Sequence, residues 1–335
     1  MSDENQKQMA DLVQNETMNV LCATDNNYAP YCGVMLTSLF ESNKDSRFEV
    51  YVFLDGNLTN QNLEKIELLG KKYGNGMHLM VIDNNLLKNC PISKLNGLEN
   101  HTYIALPTYY RLLAAELLPQ SVHRIMYFDC DVAINGDVRP FYNINLDDKA
   151  IACVRDCYPL DKETDSRLGY PSGMGYFNAG VAVYNLDYWR ENHIGDKLFG
   201  YIRENFAKLK YMDQDVVNAV LYDKKVFADE RYNYQVLFLA SSFWEDYSDG
   251  FHQKLIEEGR NVVVAHFCGP VKVWDFRYYG GPFYDIWEKY RRISLWRREG
   301  HVTSPRMKYI KFLIKRHVLP RFIKKQMKEQ WVSLV

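Results

Sequence analysis

Between Met18 and Ile82, short apolar runs alternate with segments whose apolar residues recur at helical spacing. Residues 18–23, 48–54 and 77–82 read as strands. A helix over residues 31–41 carries Met35, Leu36, Leu39 and Phe40. Thr59 opens a second helix, with Leu63, Ile66 and Leu69 on one face and Gly74 near its end. This alternation predicts an α/β unit with a parallel sheet, because parallel neighbours need a crossover helix between them. Ligands of such sheets bind beyond the carboxyl ends of the strands. Two loops then matter: Thr24-Asp-Asn-Asn-Tyr28 after the first strand, and whatever follows the apolar run at 125–128.

That second run ends in Asp129 and Asp131, with Asn135-Gly136 turning the chain away a few residues later. Side chains two apart on an extended backbone leave the same face, so both carboxylates reach one point. Paired hard oxygen ligands suit Mg²⁺ or Mn²⁺, which bind through one or two carboxylates plus substrate phosphates. Alone, the pair fits equally a strand that ends in a solvated acidic turn.

Composition removes several classes. The 335 residues are 47% hydrophobic and 25% charged, enough to bury a sizeable core. No apolar stretch of about 18 residues is present, so no membrane-spanning helix is expected. Residues 1–17 are polar, lack the pattern of a secretory signal and are expected to fray. The seven cysteines form no Cys-x-x-Cys pair, which predicts buried free thiols in a reducing cytoplasm rather than a zinc site. No Gly-x-Gly-x-x-Gly follows the first strand and no P-loop occurs, which argues against dehydrogenase and P-loop chemistry.

Further candidates lie along the chain. Arg111 sits on a helix predicted over residues 108–118, where an arginine is ordinarily solvated unless its face meets an anion. An irregular stretch separates strands predicted at 150–154 and 180–186, and long loops are often functional. It ends in Phe177-Asn-Ala-Gly180. Helices are predicted at 195–207 and 213–221. The second opens with Asp213-Gln-Asp215, where acids in a first turn ordinarily cap. A last strand over 261–267 runs into His266-Phe-Cys-Gly-Pro-Val-Lys272, a turn that presents a cation beside a potential metal ligand.

From Lys289 onward 14 Lys and Arg face two acidic residues, although the chain's net charge is −1. Ile310, Ile314 and Val318, then Ile323, Met327 and Trp331, recur every four residues around Pro320. Basic amphipathic helices of this kind lie in the interface of anionic membranes, each basic residue adding roughly 1 kcal/mol near such a surface. No nucleic-acid motif accompanies the tail. The expected organisation is a frayed segment 1–17, an α/β domain 18–285, and a basic amphipathic helical tail 286–335.

Six short motifs, in order, give the chain its resemblance. They are Ala-Thr-Asp-Asn-Asn-Tyr at 23–28, Thr-Tyr-Tyr-Arg-Leu at 108–112, Tyr-Phe-Asp-Cys-Asp at 127–131, Phe-Asn-Ala-Gly at 177–180, Asp-Gln-Asp at 213–215 and His-Phe-Cys-Gly-Pro-Val-Lys at 266–272. The chain resembles glycosyltransferase family 8, which includes bacterial lipopolysaccharide α-galactosyl- and α-glucosyltransferases and glycogenin. Val273 departs from the Pro that many members carry before the Trp.

The resemblance implies a GT-A fold, Rossmann-like, that binds a UDP-sugar and Mn²⁺ or Mg²⁺ and transfers a hexose with retention. It implies Asp129, Asp131 and His266 as metal ligands. Ala23, Asp25, Asn27 and Tyr28 would hold uridine, and Cys130, Gly269 and Lys272 would meet the rest of the nucleotide. Arg111, Asn178, Asp213 and Gln214 would surround the donor sugar. The expected acceptor is a glycan or lipid-linked sugar, met by a cytoplasmic enzyme docked on the inner membrane face. Two other readings compete: a haloacid-dehalogenase-type phosphatase, whose nucleophilic Asp would follow the first strand, and a membrane-docked sugar- or nucleotide-binding protein without turnover. The donor hexose, Glc or Gal, is not legible in the sequence.

Overall fold

The computed structural model describes residues 17–87, 107–157, 163–240 and 247–299. The strands are β1 (Thr17–Thr24), β2 (Arg47–Leu54), β3 (Gly76–Val81), β4 (Arg124–Phe128), β5 (Val132–Ile134), β6 (Ile151–Arg155), β7 (Phe177–Asn185), β8 (Lys225–Phe227), β9 (Tyr234–Gln235) and β10 (Val264–His266). The longer helices are α1 (Ala29–Ser42), α2 (Asn60–Tyr73), α3 (Ile194–Asn205), α4 (Met212–Val220), α5 (Asp249–Arg260) and α6 (Tyr284–Ile293).

Seven strands form one sheet in the order β3-β2-β1-β4-β7-β6-β8. β1 pairs in parallel with β2 and β4, β2 with β3, and β6 with β8. β7 pairs antiparallel with both β4 and β6, so the sheet is mostly parallel with one reversed strand. A smaller sheet, β5-β10-β9, carries His266.

Strand periodicity explains the two cores. Leu21, Tyr51 and Phe53 enter one cluster, while Val20, Cys22, Val50, Val52 and Leu54 enter the other. Alternate residues of one strand thus serve opposite faces of a sheet covered on both sides. α2 has the ends its sequence promises. The Thr59 hydroxyl accepts from Asn62 N, and Gly74 takes the left-handed conformation at the other end.

Three elements differ from the sequence reading. The helix expected at 108–118 tightens into a 3-10 turn at Arg111–Leu113. Its Arg111 Nε donates to Thr108 O, so the side chain folds back on the preceding turn. β7 starts at Phe177 rather than Gly180, which puts Asn178 and Gly180 inside the sheet. The last strand is only Val264–His266.

Residues 286–299, counted with the basic tail in the sequence, are continuous with the body. Trp287 and Tyr290 of α6 are buried in a third cluster with Tyr234, Phe267 and Trp274. Trp296 is fully buried, and its indole N–H donates to Asn62 Oδ1 at 2.8 Å. A Cβ on Gly33 would fall 2.1 Å from the Trp296 ring, so α1 admits this side chain only because it has a glycine there. The amphipathic repeat at 310–331 lies outside the described residues. No helix among the described residues is long and apolar enough to cross a membrane.

Candidate active site

The sheet order changes direction at β1: β2 and β3 lie on one side, β4 on the other. Such a switch point leaves a crevice at the carboxyl ends of the two strands. The loop after Thr24 and the Asp129–Asp131 turn both open onto it. The two are tied together, because the Cys130 thiol donates to Ala23 O at 3.2 Å.

The loop after β1 is built largely by its own residues. Asp25 Oδ1 accepts from Tyr28 N at 2.7 Å and Asp25 O from Ala29 N at 2.9 Å, which fixes the start of α1. Asn27 stands exposed. The Tyr28 ring meets Tyr31 and Trp274 edge-on, and those two stack face to face at 3.6 Å between centroids. Trp274 lies two residues beyond Lys272, so this aromatic group joins the Tyr28 loop to the Lys272 loop.

One end of the site is centred on Asp131. Its Oδ1 lies 3.4 Å from His266 Nε2 and its Oδ2 2.5 Å from Lys272 Nζ. Burial alone would raise the Asp131 pKa, but Lys272 and then His266 hold it well below the usual carboxylate range. Burial likewise opposes the charge on His266, and Asp131 overcomes it, pushing the imidazole up to about 9. Gly269 precedes Lys272 in a turn at φ +99°, a conformation glycine adopts freely.

The other end is centred on Arg111, which is buried. Its Nη2 donates to Asp129 Oδ1 at 2.7 Å and its Nη1 to Ala179 O at 2.7 Å. The guanidinium also lies 4.2 Å from the centre of the Tyr127 ring, whose hydroxyl donates to Asp129 Oδ1 at 2.8 Å. Arg111 Nε is 3.0 Å from Asp213 Oδ2, but its N–H is aimed at Thr108 O. Asp213 Oδ2 is therefore a buried oxygen with charge attraction and no hydrogen bond. Burial first, and Asp129 second, outweigh Arg111 and raise the Asp213 pKa to about 7.

A bulge in β7 brings these ends together. The β6–β7 register jumps between Cys153, opposite Ala182, and Val154, opposite Asn178. Residues 179–181 are thereby left out of the β6–β7 ladder, and bulges of this kind are common next to binding sites. Asp129 N then donates to Gly180 O at 2.8 Å. A Cβ on Gly180 would sit 2.5 Å from His266 Cε1 and 2.6 Å from Asp129 Oδ2, so only glycine lets those two side chains approach.

Asp129, Asp131 and His266 each offer one ligand atom, and the three atoms lie within 4.8 Å of one another. Two carboxylates and an imidazole suit a divalent cation. Here Lys272 and Arg111 supply the positive charge that those carboxylates otherwise lack. The donor set fits Mn²⁺ or Mg²⁺.

Asn178 and Gln214 meet at a residue the sequence reading passed over. Asp156 Oδ2 accepts from Asn178 Nδ2 at 3.1 Å and from Gln214 Nε2 at 3.0 Å, while Gln214 Oε1 accepts from Ala179 N. Asp156 is buried and directly follows β6, a position the rule about strand ends would have flagged. Asn233, which accepts from His266 Nδ1 at 2.8 Å, was also passed over, and no signal in the linear sequence marks it. Asp215 serves the fold. It accepts from Lys210 N, Tyr211 N, the Tyr176 hydroxyl and Arg167, and so secures the start of α4.

Residues 19–277 match the family described as Glycosyl transferase family 8. The chain is 28% identical over 268 residues to the lipopolysaccharide 1,2-glucosyltransferase of Escherichia coli K12, covering 79% of this chain and 75% of that protein. It is 27% identical over 264 residues to the lipopolysaccharide 1,3-galactosyltransferase of Salmonella typhimurium, covering 77% and 73%. Its fold matches the crystal structure of the galactosyltransferase LgtC with donor and acceptor sugar analogues. The TM-score is 0.70 at 21% identity, over 88% of this chain and all of that one.

Proposed function

The chain belongs to glycosyl transferase family 8, and from that premise we propose that it moves a hexose from a UDP-sugar to a glycan or lipid-linked acceptor, with a divalent metal and with retention at the anomeric carbon. The observation that carries this reading is the convergence of Asp129, Asp131 and His266 beside Lys272. A bound Mn²⁺ or Mg²⁺ would supply Lewis-acid stabilisation of the departing diphosphate.

The chain's own residues would do the rest. Tyr28, Asp25, Asn27 and the Ala23 backbone hold the nucleoside in the crevice, and Cys130 keeps that loop against the acidic turn. Lys272 exchanges its contact with Asp131 for the diphosphate, as a compact charge on a flexible stem can. The backbone at Gly269 approaches the phosphates closely. Arg111, Asn178, Asp213, Gln214 and Asp156 position the sugar.

Gln214 has both ends of its amide engaged, and an amide oxygen is a poor nucleophile. Front-face attack by the acceptor hydroxyl fits that arrangement. Asp213 and Gln214 then stabilise the positive charge that develops at the anomeric carbon.

The relatives named for lipopolysaccharide support a lipid-linked acceptor at an anionic membrane surface, with the tail beyond residue 299 as the docking element. Glucosyl and galactosyl relatives match about equally well, so the donor is assigned as Glc or Gal. The phosphatase reading is not favoured, because Asp129 follows the fourth strand rather than the first.

The test is UDP release from UDP-glucose and UDP-galactose, with Mn²⁺ or EDTA, by wild type and Asp131→Asn. Metal-dependent release from one donor, falling by about 10³-fold in the variant, is expected. Release indifferent to both EDTA and the substitution would overturn the reading. Mn²⁺-dependent UDP binding with no turnover on any donor or acceptor would instead support the binding-protein alternative.

A further inference from the structure

Which nitrogen of His266 carries the proton is settled by a chain of buried amides whose direction can be worked out from one end. Gly180 N lies 3.0 Å from one polar atom of the Asn178 side chain. A backbone N–H can only donate, so that atom is Oδ1. Asn178 Nδ2 then faces Asp156 Oδ2, an acceptor. The same Asn178 Oδ1 takes a second hydrogen bond at 3.0 Å from the Asn233 amide, which must present Nδ2. Asn233 Oδ1 is left facing His266 Nδ1 at 2.8 Å. The hydrogen on that contact therefore belongs to His266. With Nδ1 protonated, a neutral ring has its lone pair on Nε2, which faces Asp131.

Burial makes the arrangement exclusive. Asn233 is 0% exposed, His266 3%, Asn178 7% and Asp156 7%. Water is not at hand to replace a lost partner, and a buried unpaired donor costs about 1–3 kcal/mol. β9 and β10 pair directly, with Gln235 opposite His266, and this sets Asn233 beside the ring.

We infer that Asn233 is a positioning residue: it holds His266 in the Nδ1–H tautomer, so that Nε2 faces the cation site formed with Asp129 and Asp131. The inference rests on the metal-ligand reading proposed above. It adds that the sugar-side residues Asp156 and Asn178 set the state of the metal-side ligand through Asn233. Ligating histidines commonly depend on such an outer partner, and losing it typically weakens metal binding 10- to 100-fold.

The experiment compares wild type, Asn233→Leu, Asn233→Ala and Asn233→Asp. Mn²⁺ affinity with UDP is read from the free-Mn²⁺ resonance, and the His266 ring from ¹⁵N NMR of the Mg²⁺–UDP complex. Asn233→Leu keeps the branched shape, with a larger side chain, and removes the acceptor. Asn233→Asp keeps an acceptor for Nδ1–H, while Asn178 Oδ1 retains the Gly180 N–H. We expect Asn233→Leu and Asn233→Ala to bind Mn²⁺ 10- to 100-fold more weakly and to lose the Nδ1–H signature. Asn233→Asp should stay within about tenfold of wild type.

Wild-type affinity in folded Asn233→Leu or Asn233→Ala overturns the inference. So does an Nε2–H ring in wild type, or an Asn233→Asp variant as impaired as Asn233→Leu with the same fall in Tm, which marks a packing role. A wild-type chain that binds neither Mn²⁺ nor UDP overturns the metal-site reading itself, and the inference with it.

Discussion

The two ends of the site are built from the same residue types in opposite ratios. Around Asp131 in the metal-free protein, Lys272 and a protonated His266 serve one carboxylate. Around Arg111, one cation serves two carboxylates, Asp129 and Asp213. The pKa shifts follow the ratio. Asp131 is held down despite its burial, whereas Asp213 is raised to about 7. The reaction proposed above would separate charge in the same sense: the leaving diphosphate would gain negative charge and the anomeric carbon positive charge. A site rich in cations at one end and carboxylates at the other matches both before the reaction begins, and that is where electrostatic preorganisation has its effect.

The largest effect should come from removing the shared cation. Arg111→Met leaves Asp129 and Asp213 facing each other unneutralised. We expect activity to fall by about 10³-fold and stability by about 3–5 kcal/mol, since a buried charge is left unpaired. Activity and thermal unfolding, measured on the same preparation, check this. Next is Lys272→Met. It should lower kcat/KM by about 10²-fold, yet metal binding without nucleotide should tighten, because Asp131 loses a competing partner. A Mn²⁺ titration decides, and weaker metal binding in this variant would break the contrast between the two ends.

Asp213→Asn sharpens the comparison through pH. The folded-state pKa, about 7, lies above the unfolded value of about 3.9. Between these values the folded state binds more protons, so this group makes the fold less stable as pH rises. The cost is absent near pH 4 and complete above pH 7. The metal-free Asp213→Asn variant should gain about 1–2 kcal/mol over wild type at pH 8 and little at pH 4. Its activity should nonetheless fall by about 10- to 100-fold. Chemical unfolding at the two pH values reads the first effect, and an equal gain at both would show that Asp213 carries no such cost. The smallest effect on turnover should come from Trp296→Ala. It should lower stability by about 3–5 kcal/mol and leave kcat of the folded enzyme unchanged, since Trp296 packs against α1 and α2 away from both ends.

How legible each part was in the sequence depended on how local its cause is. The β1–α1–β2–α2–β3 run declares itself by periodicity, with Thr59 and Gly74 marking the ends of α2. Asp129 and Asp131 were legible because two residues on one strand need no partner to share a face. β7 was read as a strand, but nothing local tells an apolar run which way to lie beside β4, and the sheet has it reversed. Its bulge was marked only by Gly180, whose reason is the approach of His266 from 86 positions away in the chain. Asn233 lay hidden for the same cause: its partners, His266 and Asn178, are 33 and 55 residues distant. Asp156 was one of 42 acidic residues, distinguished only by the strand end that it follows.

Trp296 also sets where this protein can be cut. The basic character begins at Lys289, which invites a truncation near residue 285 to obtain a tail-free enzyme. Such a cut would remove α6 and the indole that fills the hollow over Gly33, and leave Asn62 Oδ1 without its donor. The newly bare surface would be apolar and contiguous with the core, a patch that drives self-association. A truncation after Glu299 keeps the plug and removes nine of the 14 basic residues. Polyanion binding by the folded domain and by the full chain could then be compared at equal stability.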